Sequence, residues 1–217
     1  MLASTKMQKY LYKAHASALR GSIRKPYFQE LGDHLAVATY AGSGGRIECK
    51  SEGFAVGEEL RYDAARTEII ASEQDGIFTT SLTAQVFGLQ VGRRLTVEEV
   101  TCRLQSVYDS RLYPEEFFPR ISPAGSTIRN LRIDGEEQRL EFSPAFDDGR
   151  GEPEFIPRPI YVEDFGTIYY AEWTWVHPQE QHQQYLTMLR LALGSDTGAT
   201  LCVGNGSSDG TGWPPGA

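Results

Sequence analysis

The sequence predicts an all-β protein: an antiparallel sandwich or barrel-like domain with long strands, a flexible basic N-terminal arm and a Gly/Pro-rich C-terminal tail. Three observations predict it. Five consecutive segments after His34 are rich in β-branched and aromatic residues and alternate in part. Asp-Gly pairs and glycine clusters, the chemistry of tight turns with positive φ, separate long runs. The chain of 217 residues holds 22 Gly, 11 Pro and 11 Tyr, a usage suited to strands joined by turns.

Taken in order, residues 1–25 carry Lys6, Lys9, Lys13, Arg20, Arg24 and Lys25 and no acid, which leaves 15 basic against 29 acidic residues, a balance of −14, on the remainder. This segment is expected to be a basic arm or an edge strand. Residues 26–203 read as a single β-rich domain. Its strands are LAVATY, IECKSEGFAV, LRYDAARTEIIAS, IFTTSLTAQVFGLQV and LTVEEVTCRLQSVY, broken at Gly42-Ser43-Gly44-Gly45, Asp75-Gly76 and Gly92. YPEEFFPRISP reads as a surface loop. STIRNLRIDGEEQRLEF reads as a hairpin about Asp134-Gly135, with a slip in its alternation near Asn130 that suggests a bulge. Residues 143–160 hold four prolines and two glycines, too many breakers for a central strand.

GTIYYAEWTWV alternates, with Tyr169, Ala171, Trp173 and Trp175 on one face and Tyr170, Glu172 and Thr174 on the other. The following PQEQHQQYLTMLRLALG admits either a helix from Pro178 to Gly194 or a hairpin arm, and the strands around it favour the hairpin. Residues 204–217 read as a flexible tail with one apolar anchor, Trp213 beside Pro214-Pro215.

GSTIRNLRIDG, LTMLRLALGS and a glycine-rich ending together resemble a group of uncharacterised bacterial β-rich proteins across residues 10 to 205. The resemblance implies strands and brings no catalytic residue with it.

No motif announces a chemistry. Asp196-Thr197-Gly198 has the letters of an aspartic protease loop, but that chemistry needs two such carboxylates sharing a proton, a flap and a further apolar strand; Ser195 to Gly198 is expected to be a turn. GSSDG places Ser208 in a nucleophile-elbow pattern without the strand, helix and downstream His it requires. His15, His34, His177 and His182 are scattered. Asp147, Asp148, Glu152 and Glu154 lack the spacing of an EF-hand loop, so no metal or other cofactor is expected, and the acidic loop is the one place where calcium stays open. Cys49, Cys102 and Cys202 form no CxxC pair and read as free thiols.

An acidic body disfavours nucleic acid as a partner, and no apolar run is long enough to span a membrane. A soluble cytoplasmic protein is expected, or one exported without an N-terminal signal. The function expected is non-catalytic: a self-assembling structural or protein-interaction protein, a homo-oligomer whose contacts come from Lys6, Lys9, Lys13, Arg20 and Trp213 at the two ends. The alternative is a carbohydrate- or other ligand-binding module that uses Tyr169, Trp173 and Trp175 as a stacking face, although aromatics at alternate positions also suit a core; a hydrolase comes third.

Overall fold

The computed structural model describes residues 12–24, 28–31, 36–112, 119–142, 154–155, 158–175, 183–194 and 200–209. The chain opens in one sheet with β1 (Tyr12–Ile23), β2 (Gln29–Leu31) and β3 (Val37–Gly42). It then builds a second sheet as one contiguous block. That block is the meander β4 (Gly45–Val56), β5 (Leu60–Gln74), β6 (Ile77–Val91) and β7 (Leu95–Asp109), followed by the short β8 (Arg120–Ser122), β9 (Thr127–Arg129), β10 (Arg132–Ile133) and β11 (Glu136–Glu137). The chain returns to the first sheet with β12 (Glu154–Phe155), β13 (Ile160–Val162), β14 (Gly166–Trp175), β15 (Gln183–Leu193) and β16 (Thr200–Asp209).

Among the described residues every pairing is antiparallel, and one core joins the two sheets. Leu19, Leu189, Leu191, Leu201 and Val203 from the first sheet meet Ile69, Leu82, Val100 and Leu104 from the second. Burying that many large aliphatic side chains is what holds the layers face to face. The long alternating segments form strands because each has one apolar half to bury and one polar half to leave in water. No helix among the described residues is long and apolar enough to cross a membrane.

The structure moves both ends of the domain. The expected arm is not an arm over residues 12–23: β1 lies inside its sheet, with β16 on one side and β2 and β3 on the other. The expected tail does not begin at Gly204, because β16 continues to Asp209, paired with both β1 and β15. Glycines that read as flexibility are there for space. Gly204 and Gly206 are buried, and a Cβ on Gly204 would lie 3.1 Å from Val100 Cγ1 and 3.3 Å from Cys102 Cβ. Between Pro178 and Gly194 the hairpin expectation holds, since β15 returns along β14. Within the Pro-rich stretch, Glu154–Phe155 and Ile160–Val162 pair with β14.

Each sheet is crossed by a row at which the pleat reverses. In the first sheet the ladders skip Ala171, Met188, Gly204 and Ala18, yet the pairing keeps its offset on either side, Tyr170 opposite Leu189 and Glu172 opposite Thr187. Ala171 and Gly204 have φ of 50° and 63°. A left-handed residue in a strand brings its own side chain to the face of the residue before it. Along this row consecutive residues both point inward: Tyr170 and Ala171, and Val203 and Gly204, at the left-handed residues, and Met188 and Leu189 between them in β15. The second sheet has its own row at Gly53, Asp63, Gly88 and Glu98, continued by Asn130, with φ of 62° at Gly88 and 50° at Asn130. There the neighbouring pair faces outward, as at Glu98 and Glu99, while Val97 and Val100 stay buried. At the first sheet's row the two layers stay in contact, with Gly204 of the first sheet against Val100 and Cys102 of the second.

Arg94 clasps one end of the sandwich. It donates to both Asp134 carboxylate oxygens at 2.7 and 2.6 Å and to the Glu163 carbonyl at 2.9 Å, with its guanidinium 5.4 Å from the Phe165 ring centroid. The second sheet is thereby tied to the β13–β14 turn of the first.

Arg111 serves Asp109 at the end of β7, donating from its backbone at 3.0 Å and from its guanidinium at 2.7 and 2.6 Å. These bonds hold the Asp109 pKa down at about 2. That lies below the ordinary carboxylate value of about 3.9. The interaction therefore supports the fold above that pH and is lost as pH falls through about 2. A chemical-shift titration is expected to place Asp109 near 2, and Arg111→Ala to return it toward the ordinary range.

Candidate functional site

The outer face of the second sheet carries a concavity. A trough of about 370 Å³ runs over β5, β6 and β7, walled by Arg66 and Glu68 on one side and by Arg103 and the β8–β9 turn at Gly125 on the other. Alternation puts these residues together. Glu68, Thr83 and Arg103 stand opposite one another across three strands, and Arg66, Gln85 and Thr101 form the next row. Gly125, at φ 84°, lets the turn close on Arg103, since a Cβ there would lie 3.1 Å from its Cδ and Nη1. Ser126 fixes the turn by accepting from the Arg103 backbone N–H at 2.8 Å and donating to its carbonyl at 3.0 Å.

The floor is a hydrogen-bonded chain. Gln85 Nε2 donates to Glu99 Oε1 and Thr101 Oγ1, both at 3.3 Å, Thr101 donates to Glu99 at 2.7 Å, and Arg129 donates to the other Glu99 oxygen at 2.8 Å. The trough thus presents hydroxyls, an amide and paired charges, and its lining holds no His or Cys to act as base or nucleophile. Such a surface suits a polar ligand that exchanges hydrogen bonds with it; it lacks the aromatic face on which a sugar ring stacks.

On its β4 side the trough passes into a charged lattice. Arg66 Nε lies 2.6 Å from Glu48 Oε1, Lys50 Nζ lies 3.1 Å from the same oxygen, and Arg46 reaches Glu68. The Lys50 hydrogen bond, then the Arg66 and Arg46 charges, keep the Glu48 carboxyl below its usual range.

The residues singled out in the sequence lie elsewhere. Tyr169 is on the outer face of the first sheet, where the Arg190 guanidinium covers its ring at 3.9 Å and donates to both Glu172 oxygens at 2.7 and 2.8 Å. The reversal at Ala171 explains this group: strict alternation separates Tyr169 from Glu172, and the reversed pleat brings them to one face. Ala171 is in the core, so the run of one face from Tyr169 through Ala171 is broken. Trp173 and Trp175 stand opposite Leu186 and Gln184 in the β14–β15 ladder, and their side chains lie outside the described residues. Arg20 is exposed in β1, opposite Cys202; Lys13 pairs by its backbone with Asp209 and Ala41. Lys6, Lys9, Trp213, Asp196, Asp147, Asp148 and Glu152 lie outside the described residues. Ser207, Ser208 and Asp209 run on in β16, so GSSDG forms no strand–turn–helix elbow. Among the described residues, no three His, Cys, Asp or Glu side chains stand close enough together to hold a metal ion.

The three cysteines are free. Burial pushes the Cys102 thiol far up, and Sγ donates to the Leu186 carbonyl at 3.9 Å. Burial also raises Cys202, against the pull of Arg20 and Arg190. Thiolate is the reactive form, so Cys102 is expected to resist maleimide until the protein unfolds; mass spectrometry after native labelling should count no more than two modified thiols.

A family profile described as a domain of unknown function (DUF8256) matches residues 10–188, from the start of the first sheet into β15. No curated protein and no solved structure matches the chain.

Proposed function

We propose, from the premise that the chain belongs to the DUF8256 family, that it is a non-catalytic protein working through contact with other protein chains and assembly with copies of itself. The observation that carries this reading is the margin of the second sheet. β4 offers a strand of 12 residues, and among the described residues β5 is its one ladder partner. An unpaired strand of that length presents a row of backbone donors and acceptors that another strand satisfies. The assembly role first placed at the two ends moves to this edge, because the described parts of those ends are occupied as paired strands. Three free cysteines accord with a reducing, cytoplasmic setting.

Light scattering coupled to gel filtration at low and high salt tests the reading. Particles larger than one chain, shrinking as salt rises, are expected; a strict monomer at both salts and at high protein concentration defeats it.

A second reading is favoured by the trough: a ligand-binding module for polar, polyhydroxylated molecules. It expects saturable binding of a soluble oligosaccharide that Gln85→Ala and Arg103→Ala both weaken. Binding unaffected by either change removes it.

A further inference from the structure

We infer that β4 pairs with β4 of a second copy, antiparallel and two-fold symmetric about Cys49; this rests on the assembly reading and names its partner. The outer face of β4 carries Arg46, Glu48, Lys50 and Glu52 at every second position, with signs plus, minus, plus, minus. Arg46 and Lys50 are 57% and 66% exposed, so a neighbouring strand can reach them although they already face Glu68 and Glu48 within the chain. Centring the two-fold axis on Cys49 sets Arg46 opposite Glu52 of the other copy and Glu48 opposite Lys50, and the symmetry repeats both pairs. All four charged residues then meet an opposite charge.

Other registers fail. Sliding the copies by two residues one way sets Glu48 against itself and Arg46 against Lys50; sliding the other way sets Lys50 against itself and Glu48 against Glu52. Like charges directly opposite are unfavourable in a ladder. The sequence of this edge is therefore self-complementary in one register and repulsive in both adjacent ones, which is how an exposed edge chooses a partner.

The other face agrees. Ile47, 37% exposed, comes opposite Ser51, and Gly45 opposite Gly53, so nothing bulky collides. Cys49 stands opposite Thr67 of β5 and is half-buried, and in the dimer it meets the Cys49 of the other copy. Opposed residues in an antiparallel pair have Cα atoms about 4.5 to 5.5 Å apart, within the span a disulfide bridges.

Two experiments on the full chain test the inference. In a Cys102→Ser, Cys202→Ser background, mild oxidation by copper phenanthroline removes two electrons and two protons from a pair of thiols. A covalent dimer is expected that reductant dissolves and Cys49→Ser prevents.

The second uses charge reversal. Lys50→Glu with Glu52→Lys, and Arg46→Glu with Glu48→Lys, each set like charges opposite in the homodimer, and each variant is expected to weaken dimerisation at least tenfold. Mixed together, the two variants restore all four opposite-sign pairs, so a heterodimer is expected. Circular dichroism checks that each variant is folded, and the Cys49 cross-link tests the register even where one variant is not. A protein that is monomeric throughout overturns this inference together with the assembly reading. A dimer that forms no Cys49 disulfide, or one indifferent to the charge reversals, overturns the β4 register and leaves assembly standing.

Discussion

Gly21→Ala is expected to abolish the β1–β16 ladder and leave little soluble protein. Gly21 sits at φ 145°, and a Cβ there would lie 2.0 Å from the Thr200 carbonyl oxygen and 3.0 Å from the Leu201 Cα. The obstruction is backbone, which cannot step aside as a side-chain tip can. The clash falls where β1 joins β16, so relieving it means opening the first sheet at its centre. The cost should exceed about 4 kcal/mol, comparable with the roughly 5 to 15 kcal/mol that holds a domain folded. Gly92→Ala is the control, since Gly92 also has a positive φ, 55°, but open space around it. That change should cost only the left-handed backbone penalty of about 1 to 2 kcal/mol. Soluble yield and the urea midpoint followed by tryptophan fluorescence separate the two. A Gly21→Ala protein with an unchanged midpoint would show that β1 does not lie against β16.

Leu82→Ala is the second large effect, and its partner makes it diagnostic. Leu82 is fully buried in β6, and its Cδ1 fills the space over Gly206 of β16, where an added Cβ would lie 2.3 Å away. Truncating it should cost roughly 2 to 5 kcal/mol through lost burial and the cavity left behind. Gly206→Ala alone forces Leu82 out of its position and should cost about 1 to 3 kcal/mol. In the Leu82→Ala background the same methyl enters vacated space, so the double variant should be more stable than the sum of the singles predicts, by roughly 0.5 to 3 kcal/mol. Strict additivity in urea unfolding would mean that β16 does not pack on β6.

The middle of the fold was legible in the sequence because its signals are local. The segments read as strands begin at Leu60, Ile77 and Leu95, as β5, β6 and β7 do, and turn glycines mark their ends. The slip noticed at Asn130 is a real feature, one member of the row where the second sheet reverses its pleat. Its counterpart at Ala171 carries no mark, since nothing in an alanine side chain favours the φ of 50° found there. Missing it is what placed Tyr169 on a face with Ala171. The last strand was hidden for a related reason: GNGSSD lacks apolar alternation, and its glycines are small because Leu82, Val100 and Cys102 press on them. The trough residues were present as the polar halves of β5, β6 and β7. Alternation along one strand separates its buried from its polar half, and nothing within one strand says which polar side chains from three strands converge.

The position of β1 between β3 and β16 has a consequence during synthesis. β3 follows β1 closely, but the strand that covers the other edge of β1 is the last described one, about 180 residues later in the chain. At about 5 to 20 residues per second, the ribosome delivers β16 on the order of ten to forty seconds after β1. The second sheet, whose hairpins join neighbours in sequence, can assemble in that interval, whereas the first waits on its most distant pairing. For those seconds the nascent chain holds one finished layer and one incomplete layer. The unpaired side of β1 is then the place where a chaperone, or another nascent copy, meets it first.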